Sequence, residues 1–361
     1  MRVMIAAGGT GGHIYPGIAV AKEIMQRAPD SIVRFIGTAK GLEKKLVPEA
    51  GFELSLIKSS GLKNVGLMGK IKGALIMPQS FFEAWKLIKD FRPDVVVGAG
   101  GYVSGPVVLM AYLMGVPAMV MDSNALPGFT NRRLARFVDK AALTFQEALA
   151  FFGDKGVLTG NPVRKEFFEI APKERGEGEF HLLIFGGSQG AQAINRAVLE
   201  ALPLLDEHLE KMHITHQTGE GDLETISKGY AAAGWNGADV RPYISDMVAA
   251  FAESDLIICR AGATTCAEIA AAGKAAIMVP LPTAADDHQR KNAEALAAAG
   301  AAKMILQADL SGERLANEIK DVIGSPEKID AMEQAARKLA KEYAAEITVD
   351  LIEELAAKNR K

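Results

Sequence analysis

Short apolar runs that end near glycine recur along this chain and alternate with helical stretches. In the first half the runs lie at residues 3–7, 33–36, 95–98, 118–121 and 141–144. Amphipathic stretches with helical spacing fall between them, for example at residues 18–27 and 81–90. Apolar runs this short are typical of parallel strands that are buried on both faces. Their alternation with helices predicts βαβ units, and therefore an α/β fold with helices on both faces of a parallel sheet.

The same alternation restarts in the second half, after Gly160-Asn161-Pro162 and a charged stretch at residues 173–179. New apolar runs follow at residues 181–185, 213–218, 255–259 and 275–279. Because 361 residues are too many for one ordinary core, we expect two doubly wound domains, at residues 1–161 and 162–340. The tail carries alternating charge, and we expect a helix at about residues 341–361 to pack back on the first domain.

Composition and charge exclude several classes of protein. The formal net charge of −3 gives no general attraction to nucleic acid, so no nucleic-acid partner is expected. The chain opens directly into an apolar run, which predicts no secretory leader, and no stretch approaches the roughly 18 apolar residues that span a bilayer. The two cysteines, Cys259 and Cys266, offer neither metal-ligand spacing nor a disulfide framework, which fits a reducing cytoplasm.

Three glycine-rich turns follow predicted strands: GGTGGH at residues 8–13, GAGGYVSGP at 98–106 and GGSQGA at 186–191. Glycine permits positive φ and lets backbone amides approach a ligand, and the following helix N-terminus favours negative charge. For one such loop alone, a simple tight turn is an equal interpretation. Three of them at the carboxyl ends of strands favour a bound phosphate or sugar ring, because ligands of open α/β sheets bind at that edge.

Two common nucleotide signatures are missing from these loops. The dinucleotide pattern G-x-G-x-x-G fails because Ile14 and Val103 stand where its third glycine is required. FIGTAKG follows the second strand without an acidic residue for a ribose, which argues against a dehydrogenase. The phosphate-loop pattern G-x-x-x-x-G-K-[ST] is also missing, which excludes the simplest kinase or ATPase.

Residues 257–294 contain the densest set of candidate binding groups. Gly262 predicts a turn, after which Thr264 and Thr265 open a helix whose amides suit a phosphate. Glu268 has two interpretations. It completes a capping box with Thr265, or its carboxylate binds paired ribose hydroxyls.

A second helix is predicted after Pro280-Leu281-Pro282, where the two prolines interrupt regular secondary structure. Gln289 and Asn292 lie three residues apart, so both amides face one way and suit sugar hydroxyls, the alternative being an ordinary polar helix start. The neighbouring acids Asp286 and Asp287 lack an evident third ligand, so we expect no metal and no cofactor.

Seven segments, in this order and spacing, resemble the MurG family, the UDP-N-acetylglucosamine transferases of peptidoglycan synthesis. They are GGTGGHIYP, GGYVSGP, SNALPGFTNR, GNPVR, GGSQGA, RAGATTCAE and DHQRKNA, and together they cover nearly the whole chain. The resemblance implies a GT-B glycosyltransferase fold, with two Rossmann-like domains facing across a cleft. It also implies that the amino domain binds a lipid-linked acceptor and the carboxyl domain binds UDP-GlcNAc.

The reaction implied is inverting transfer of GlcNAc from UDP-GlcNAc to the 4-hydroxyl of MurNAc in undecaprenyl-pyrophosphoryl-MurNAc-pentapeptide (lipid I), giving lipid II and UDP. The resemblance assigns the diphosphate to Ser188 with Ala263, Thr264 and Thr265, and the uracil to the Ile244 backbone. It assigns the ribose to Glu268 and the GlcNAc to Gln289 with Asn292. It also implies that the donor is bound from the amino side of the cleft by Thr10, Gly11, Gly12 and Asn124, with Arg164 closing on it from the linker. One departure is visible. The chain reads MDSNALPG where the family usually reads HEQNAVPG, so Asp122 and Ser123 receive no role.

Attack by a sugar hydroxyl requires a base and stabilisation of the departing diphosphate. His13 is the candidate base because imidazole titrates near neutral pH, while the structural alternative is a ring that caps the following helix or bonds the neighbouring loop. Tyr102 is the candidate for orienting the acceptor, with a packing role as its alternative. Helix amides near Thr264 and Thr265, with Arg164, suffice for the diphosphate charge without a metal.

Residues 62–92 mix apolar side chains with five lysines, which suits peripheral contact with an anionic membrane at its cytoplasmic face. A core-facing helix with lysines toward water is the alternative. Three rival functions remain open: a UDP-GlcNAc 2-epimerase, a transferase acting on a small hydrophobic acceptor, and a subunit that only binds the nucleotide sugar. The resemblance also allows protein partners from cell-wall synthesis.

Overall fold

The computed structural model describes residues 1–39, 41–59, 67–173, 179–187, 189–284 and 287–359, and for residues 67–75 and 359 it describes the backbone only. The chain divides into two compact units. The first comprises Met1–Arg164 together with Lys341–Lys361, and the second comprises Lys165–Ala340. Each unit is built on one parallel sheet, as the repeated strand and helix pattern predicted.

The sheet of the first unit has the strand order β3-β2-β1-β4-β5-β6-β7. Its strands are β1 (Arg2–Ala7), β2 (Ile32–Gly37), β3 (Glu53–Leu56), β4 (Val95–Gly100), β5 (Ala118–Asp122), β6 (Lys140–Leu143) and β7 (Gly156–Leu158). Val3 pairs with Val33 on one side and with Val95 on the other. The five predicted strands are confirmed. The two outer strands, β3 and β7, were missed because their half-exposed residues form no continuous apolar run.

Five helices connect these strands: α1 (Gly11–Arg27), α2 (Glu43–Glu49), α3 (Leu67–Phe91), α4 (Ser104–Leu113) and α5 (Phe129–Leu134). Two of them begin earlier than the apolar periodicity predicted. The first turn of α1 is made from the glycine-rich segment itself. The start of α3 contains Gly69, Gly73 and Pro78, residues that weaken any helix prediction.

The sheet of the second unit has the order β10-β9-β8-β11-β12-β13. Its strands are β8 (Phe180–Phe185), β9 (Met212–Gln217), β10 (Asp239–Arg241), β11 (Leu256–Cys259), β12 (Ala275–Met278) and β13 (Ala302–Met304). Its helices are α6 (Lys165–Phe168), α7 (Gln192–Ala201), α8 (Leu223–Ala232), α9 (Met247–Glu253), α10 (Ala263–Ala272), α11 (His288–Ala298), α12 (Gly312–Ile323) and α13 (Pro326–Leu339). The predicted interior strands are confirmed, whereas the short outer strands β10 and β13 were not predicted.

The last helix, α14 (Ala344–Asn359), packs against α1 in the first unit. Val349 and Ile352 are fully buried in that unit's core, among residues of α1, β1 and β4. Arg27 of α1 pairs with Asp350 at 2.5 Å and lies 3.6 Å from Glu353. Within the described ranges, none of the helices combines the length and apolar character needed to cross a membrane.

Candidate functional site

The first glycine-rich segment joins β1 to α1, and its second half is helical. Thr10 is the N-cap of α1 with extended backbone, and Gly11, Gly12 and His13 form the first turn. The amide of His13 donates to the Thr10 carbonyl at 3.1 Å. His13 was expected on a loop. It instead lies on a helix, which fixes the direction of its side chain more firmly.

Close approach between two loops explains several of the glycines. At Gly101, with φ +79°, a Cβ would overlap the Gly8 carbonyl oxygen, and at Gly100, with φ +122°, it would overlap the His13 ring. Gly9, with φ +92°, has no atom of the described chain within 4 Å of its Cβ position. The first segment therefore approaches the second loop directly, and Gly9 faces open space. These glycines therefore permit contact between the two loops, and the binding of a phosphate or sugar by the loops stays a prediction.

His13 is half-buried, and its imidazole lies against Gly100 of the neighbouring loop. The position of the ring beside this loop agrees with the structural alternative, in which His13 bonds the neighbouring loop. It is also compatible with catalysis, because a base needs a fixed ring. The role of His13 as the base therefore stays a prediction.

The second glycine-rich loop is fixed by a buried serine. Ser104, which is inaccessible to solvent, contacts the Ala6 and Gly100 carbonyls at 2.9 Å and accepts from the Gly100 amide at 3.0 Å. Tyr102 precedes it and is 55% exposed, while its carbonyl accepts from the Ser59 hydroxyl at 2.9 Å. The ring of Tyr102 is therefore accessible to an acceptor molecule.

Asp122, which the sequence left without a role, organises the loop that carries Asn124. It is buried at the end of β5, where Oδ1 accepts from the Asn124 amide at 3.0 Å. Its Oδ2 accepts from the Gly128 amide at 2.9 Å and the Asn131 side chain at 2.8 Å. A carboxylate at a strand end followed by Gly and Asn was the available signal, since backbone amides in such turns need acceptors.

Arg164 lies beside α1 in the first unit. Its guanidinium carbon is 4.7 Å from the centroid of the Tyr15 ring. The Tyr15 ring also covers Gly11, where an added Cβ would lie 3.0 Å from it. A positive charge is therefore held next to the first turn of α1 by stacking on an aromatic ring.

In the second unit, the residues assigned to the donor follow β8, β10, β11 and β12 at the carboxyl edge of one sheet. Ser188 lies outside the described residues. The rest of its loop packs on the turn after β9, since a Cβ at Gly190 would overlap the Thr218 carbonyl oxygen. Gly187, with φ +95°, faces open space, as Gly9 does in the first unit.

Gln217 connects the glycine-rich loop to Ile244. It is 1% exposed, its amide donates to the Gly187 carbonyl at 2.8 Å, and its Oε1 accepts from the Ile244 amide at 2.8 Å. Ile244 is itself buried, and its N–H is bonded within the protein. No local sequence pattern indicates Gln217, because its role depends on two distant segments.

Helix α10 presents its N-terminus at this edge. Gly262 is the N-cap, and Ala263, Thr264 and Thr265 form a half-exposed first turn. Backbone N–H groups and the positive end of the helix dipole there suit a phosphate. The capping-box interpretation of Glu268 is wrong, because Glu268 lies in the second turn from an N-cap at Gly262. Glu268 is buried, at 8% exposure.

Both amides at the start of α11 fasten this helix to neighbouring loops. Gln289 Oε1 accepts from the Leu281 amide at 3.0 Å, and Asn292 Nδ2 donates to the Ala261 carbonyl at 3.0 Å. Asn292 is 1% exposed, and its buried Oδ1 has no hydrogen-bond partner among the described residues. Buried polar atoms are normally satisfied, so this oxygen is a candidate acceptor for a ligand hydroxyl. Asp286 lies outside the described residues, and Asp287 is the N-cap of α11.

Arg260 lies next to the candidate donor site, and the sequence reasoning missed it. Its guanidinium donates to the Val279 and Pro280 carbonyls at 3.0 and 3.2 Å and to Gln307 Oε1 at 2.6 Å. Partial burial lowers the pKa of this guanidinium. Arg260 therefore connects the segment after β11 to the segment after β12. It also places a positive charge close to the N-terminus of α10.

One set of described side chains has metal-ligand geometry, but it lies at the opposite edge of the sheet. Glu179, His181 and His213 offer atoms within 4.8 Å of one another at the amino ends of β8 and β9. Burial and the positive charge of Lys173 lower the pKa of His181. The same charge opposes a bound cation. Burial also raises the pKa of Cys266 to about 12 and that of Cys259 well above its usual value, so neither thiol is a ready ligand.

Comparison with known proteins identifies the family. Residues 3–143 match the glycosyltransferase family 28 N-terminal domain, and residues 181–349 match the family's C-terminal domain. A protein of Anaeromyxobacter dehalogenans (strain 2CP-C) is 49% identical over 357 residues, covering 98% of this chain and 93% of that protein. One of Geobacter sulfurreducens is 44% identical over 366 residues and covers both chains completely. Both are named UDP-N-acetylglucosamine–N-acetylmuramyl-(pentapeptide) pyrophosphoryl-undecaprenol N-acetylglucosamine transferase.

Solved structures agree with this assignment. The crystal structure of Acinetobacter baumannii MurG superposes with a TM-score of 0.74 at 35% identity, over 98% of this chain and 99% of that chain. A UDP-GlcNAc 2-epimerase of Neisseria meningitidis, solved with UDP-GlcNAc bound, has a TM-score of 0.68 over 98% of this chain and all of its own, but at 15% identity it shares only the fold. The expected GT-B fold is confirmed. This chain belongs to the MurG family of N-acetylglucosamine transferases, built from the two domains of glycosyltransferase family 28.

Proposed function

We propose that this chain transfers GlcNAc from UDP-GlcNAc to the 4-hydroxyl of MurNAc in lipid I, giving lipid II and UDP. The reaction is supported by relatives that are 44–49% identical over 98–100% of this chain and are named as N-acetylglucosamine transferases. One observation within the chain carries the proposal. His13, Tyr102 and Asn124 follow β1, β4 and β5, which are neighbours in one sheet, so that a base, an exposed phenol and an amide share one edge.

The second unit supplies the donor site in this proposal. The first turn of α10, with Ser188, binds the diphosphate, and Glu268 binds the ribose. The Ile244 carbonyl binds uracil, while Gln289 and the Oδ1 atom of Asn292 read the GlcNAc hydroxyls. The Ile244 N–H and the Asn292 NH₂ group both donate to acceptors within the protein. This supports their carbonyl oxygens as the atoms that contact the ligand.

The chemistry requires one proton transfer and one displacement. His13 accepts the proton of the attacking 4-hydroxyl, whose oxygen forms a bond to the anomeric carbon. The bond from that carbon to the diphosphate oxygen breaks on the opposite face, so an α-linked donor gives a β-linked product. The α10 amides, with Arg164, stabilise the charge that develops on UDP, and no step requires a metal ion.

A lipid-linked acceptor requires contact with a membrane surface, and α3 supports this part of the proposal. Ala84, Ile88 and Phe91 are buried in the core, as the core-facing alternative expected. On another face Phe82 is 62% and Trp85 37% exposed, their rings stacked at 5.7 Å. Lys89 lies 4.9 Å from the Trp85 ring, which adds the positive charge suited to anionic lipid. Residues 62–66, and the side chains of Lys70 and Lys72, lie outside the described residues.

The experiment that tests the reaction is a radiolabelled transfer assay with UDP-GlcNAc and a lipid I analogue, run beside UDP-GalNAc and in chelator. We expect GlcNAc-specific transfer that survives chelation. Transfer only to small hydrophobic acceptors would contradict the proposal, as would interconversion of free sugar nucleotides, which defines the epimerase. Tight UDP-GlcNAc binding without any transfer would leave only a binding subunit.

Sedimentation of the Phe82→Ser, Trp85→Ser double variant with anionic vesicles tests the membrane surface. We expect weaker vesicle binding than for the wild-type protein, and equal binding would place the contact elsewhere.

A further inference from the structure

A fully buried carboxylate supports the first glycine-rich segment from outside the site. Glu43, the first residue of α2, has no accessible surface. Its Oε2 accepts from the Gly9 amide at 3.0 Å. Its Oε1 accepts from both the amide and the hydroxyl of Thr38, at 2.7 and 2.8 Å. One side chain therefore joins the turn after β1 to the turn after β2.

Three glycines make room for this carboxylate. A Cβ at Gly37 or Gly41 would overlap the Glu43 side chain, and a Cβ at Gly8 would lie 3.1 Å from Oε1. The Leu42 amide also donates to the Gly9 carbonyl at 3.3 Å. Both polar atoms of the Gly9 backbone are thus held by the segment at residues 37–43. We call this arrangement the Glu43 clasp.

An acid in the first turn of a helix ordinarily only favours the helix dipole. Glu43 does more, because its Oε1 accepts two hydrogen bonds from Thr38 and its Oε2 accepts one from Gly9. Gly9 lies 34 residues away in sequence. Gly9 has positive φ and faces open space, so side-chain packing does not fix its conformation. The hydrogen bond to Glu43 therefore has a large share in holding this turn.

We propose that Glu43 is a positioning residue for glycosyl transfer. By holding Gly9 it sets the direction in which the chain enters Thr10 and the first turn of α1, from which His13 projects. Glu43 touches neither substrate in this proposal, and it acts through the backbone of the segment that carries His13. The inference rests on the proposed function, since that function makes His13 the base for the acceptor hydroxyl.

The chemistry of a carboxylate is specific to this position. Ionised carboxylates only accept, so Gly9 and Thr38 are satisfied at once. Glutamine has one acceptor oxygen and one NH₂ group. Two donors on Thr38 hold the oxygen, so in Glu43→Gln the NH₂ group faces the Gly9 amide, donor against donor. This variant keeps the side-chain shape and releases Gly9 selectively.

The test measures steady-state transfer, UDP-GlcNAc affinity by calorimetry, and hydrogen exchange of residues 9–14 in Glu43→Gln. We expect kcat to fall by about tenfold or more, or the KM for the lipid I analogue to rise as far, with UDP-GlcNAc affinity within about twofold of wild type. Exchange at residues 9–14 should rise. Glu49→Gln is the matched control, on the same helix with a side chain 57% exposed, and should match wild type.

Unchanged kcat and acceptor KM in a folded Glu43→Gln would overturn the proposal, as would an equal loss of donor affinity, which indicates general destabilisation. If that variant does not fold, Gly41→Ala, which displaces the carboxylate without changing its charge, is measured by the same criteria. Failure of the proposed function is recognised separately. Wild type then transfers no GlcNAc, while exchange at residues 9–14 still reports whether Glu43 holds the turn.

Discussion

Buried carboxylates on other elements hold the loops of the first unit in place. Glu43 accepts from the Gly9 amide, and Asp122 accepts from the amides of Asn124 and Gly128. Hydrogen bonds to an ionised acceptor are stronger than those between neutral groups, so each acid fixes a glycine-containing turn that has little side-chain packing of its own. Rigid turns matter for transfer because the base and the acceptor must be held at near-attack distance.

His13→Asn tests the base directly. Asparagine keeps polarity near Gly100 but cannot take up the hydroxyl proton, so we expect kcat to fall by about 10² to 10⁴, the contribution typical of a positioned base. UDP-GlcNAc affinity should remain near wild type, because His13 is assigned no donor contact and the uracil, ribose and GlcNAc contacts are assigned to the second unit. Turnover and calorimetric affinity are measured on the same preparation. Turnover near wild type would assign His13 a structural role only.

Among single residues, the sequence predicted the loops at the strand ends but not the buried side chains that hold them. Thr10 and the first turn of α10 follow strands, as the glycine-marked turns predicted, and Asn124, which only the family resemblance singled out, follows β5. Gln217 and Glu43 were missed because each joins segments about 30 residues apart, and no local pattern encodes such a bond. The Glu268 capping box was predicted one turn too late because helix starts are the least certain part of a periodicity.

Among the strands, burial decides which ones could be predicted from the sequence. Interior strands such as β1 and β11 were predictable because burial on both faces makes them continuously apolar. Outer strands lack that signature. In the second unit β9 carries a buried polar network. His216 lies between the Tyr230 hydroxyl at 3.0 Å and Asn195 Oδ1 at 3.1 Å, and Asn195 donates to the Thr218 carbonyl at 3.0 Å. This network joins β9 to α7 and α8.

The network predicts a pH dependence of stability. Burial lowers the pKa of His216 to about 3, so the ring is neutral in the folded protein at pH 7. The unfolded chain binds a proton below about pH 6.5, and the contribution to stability is therefore complete above that pH and lost as pH falls toward 3. Urea unfolding should show about 1 kcal/mol of this loss between pH 7 and 5.5.

His216→Gln removes the titrating group, so its free energy of unfolding should decline less steeply over the same pH range. His208→Gln, at a partly exposed position on the same unit, is the matched control and should retain the wild-type slope. Equal slopes for wild type and His216→Gln would show that the ring is not the group responsible.

At the scale of the whole molecule, the chain builds two separate cores and then returns to the first. The second unit has a continuous core of its own, made from its sheet and helices α7, α8, α12 and α13. The first unit instead takes part of its core from α14, at the far end of the sequence. The sequence predicted a tail helix that packs back on the first domain, but not that α1 is the helix it packs against, because the complementary apolar face of α1 is more than 300 residues away.

This return predicts that damage to α14 is felt in the first unit. Ile352 is fully buried beside residues of α1 and β1, and Ile352→Ala should cost about 2–5 kcal/mol through lost burial and the cavity left behind. Hydrogen exchange should quicken in β1 and α1, while β8 and β9 keep wild-type rates and UDP-GlcNAc affinity changes little. Lys358→Ala, whose side chain is 64% exposed near the end of the same helix, is the control and should leave exchange unchanged. Equal acceleration in both sheets would mean that the two cores unfold as one cooperative unit, and then α14 would stabilise the donor site as well as the acceptor side.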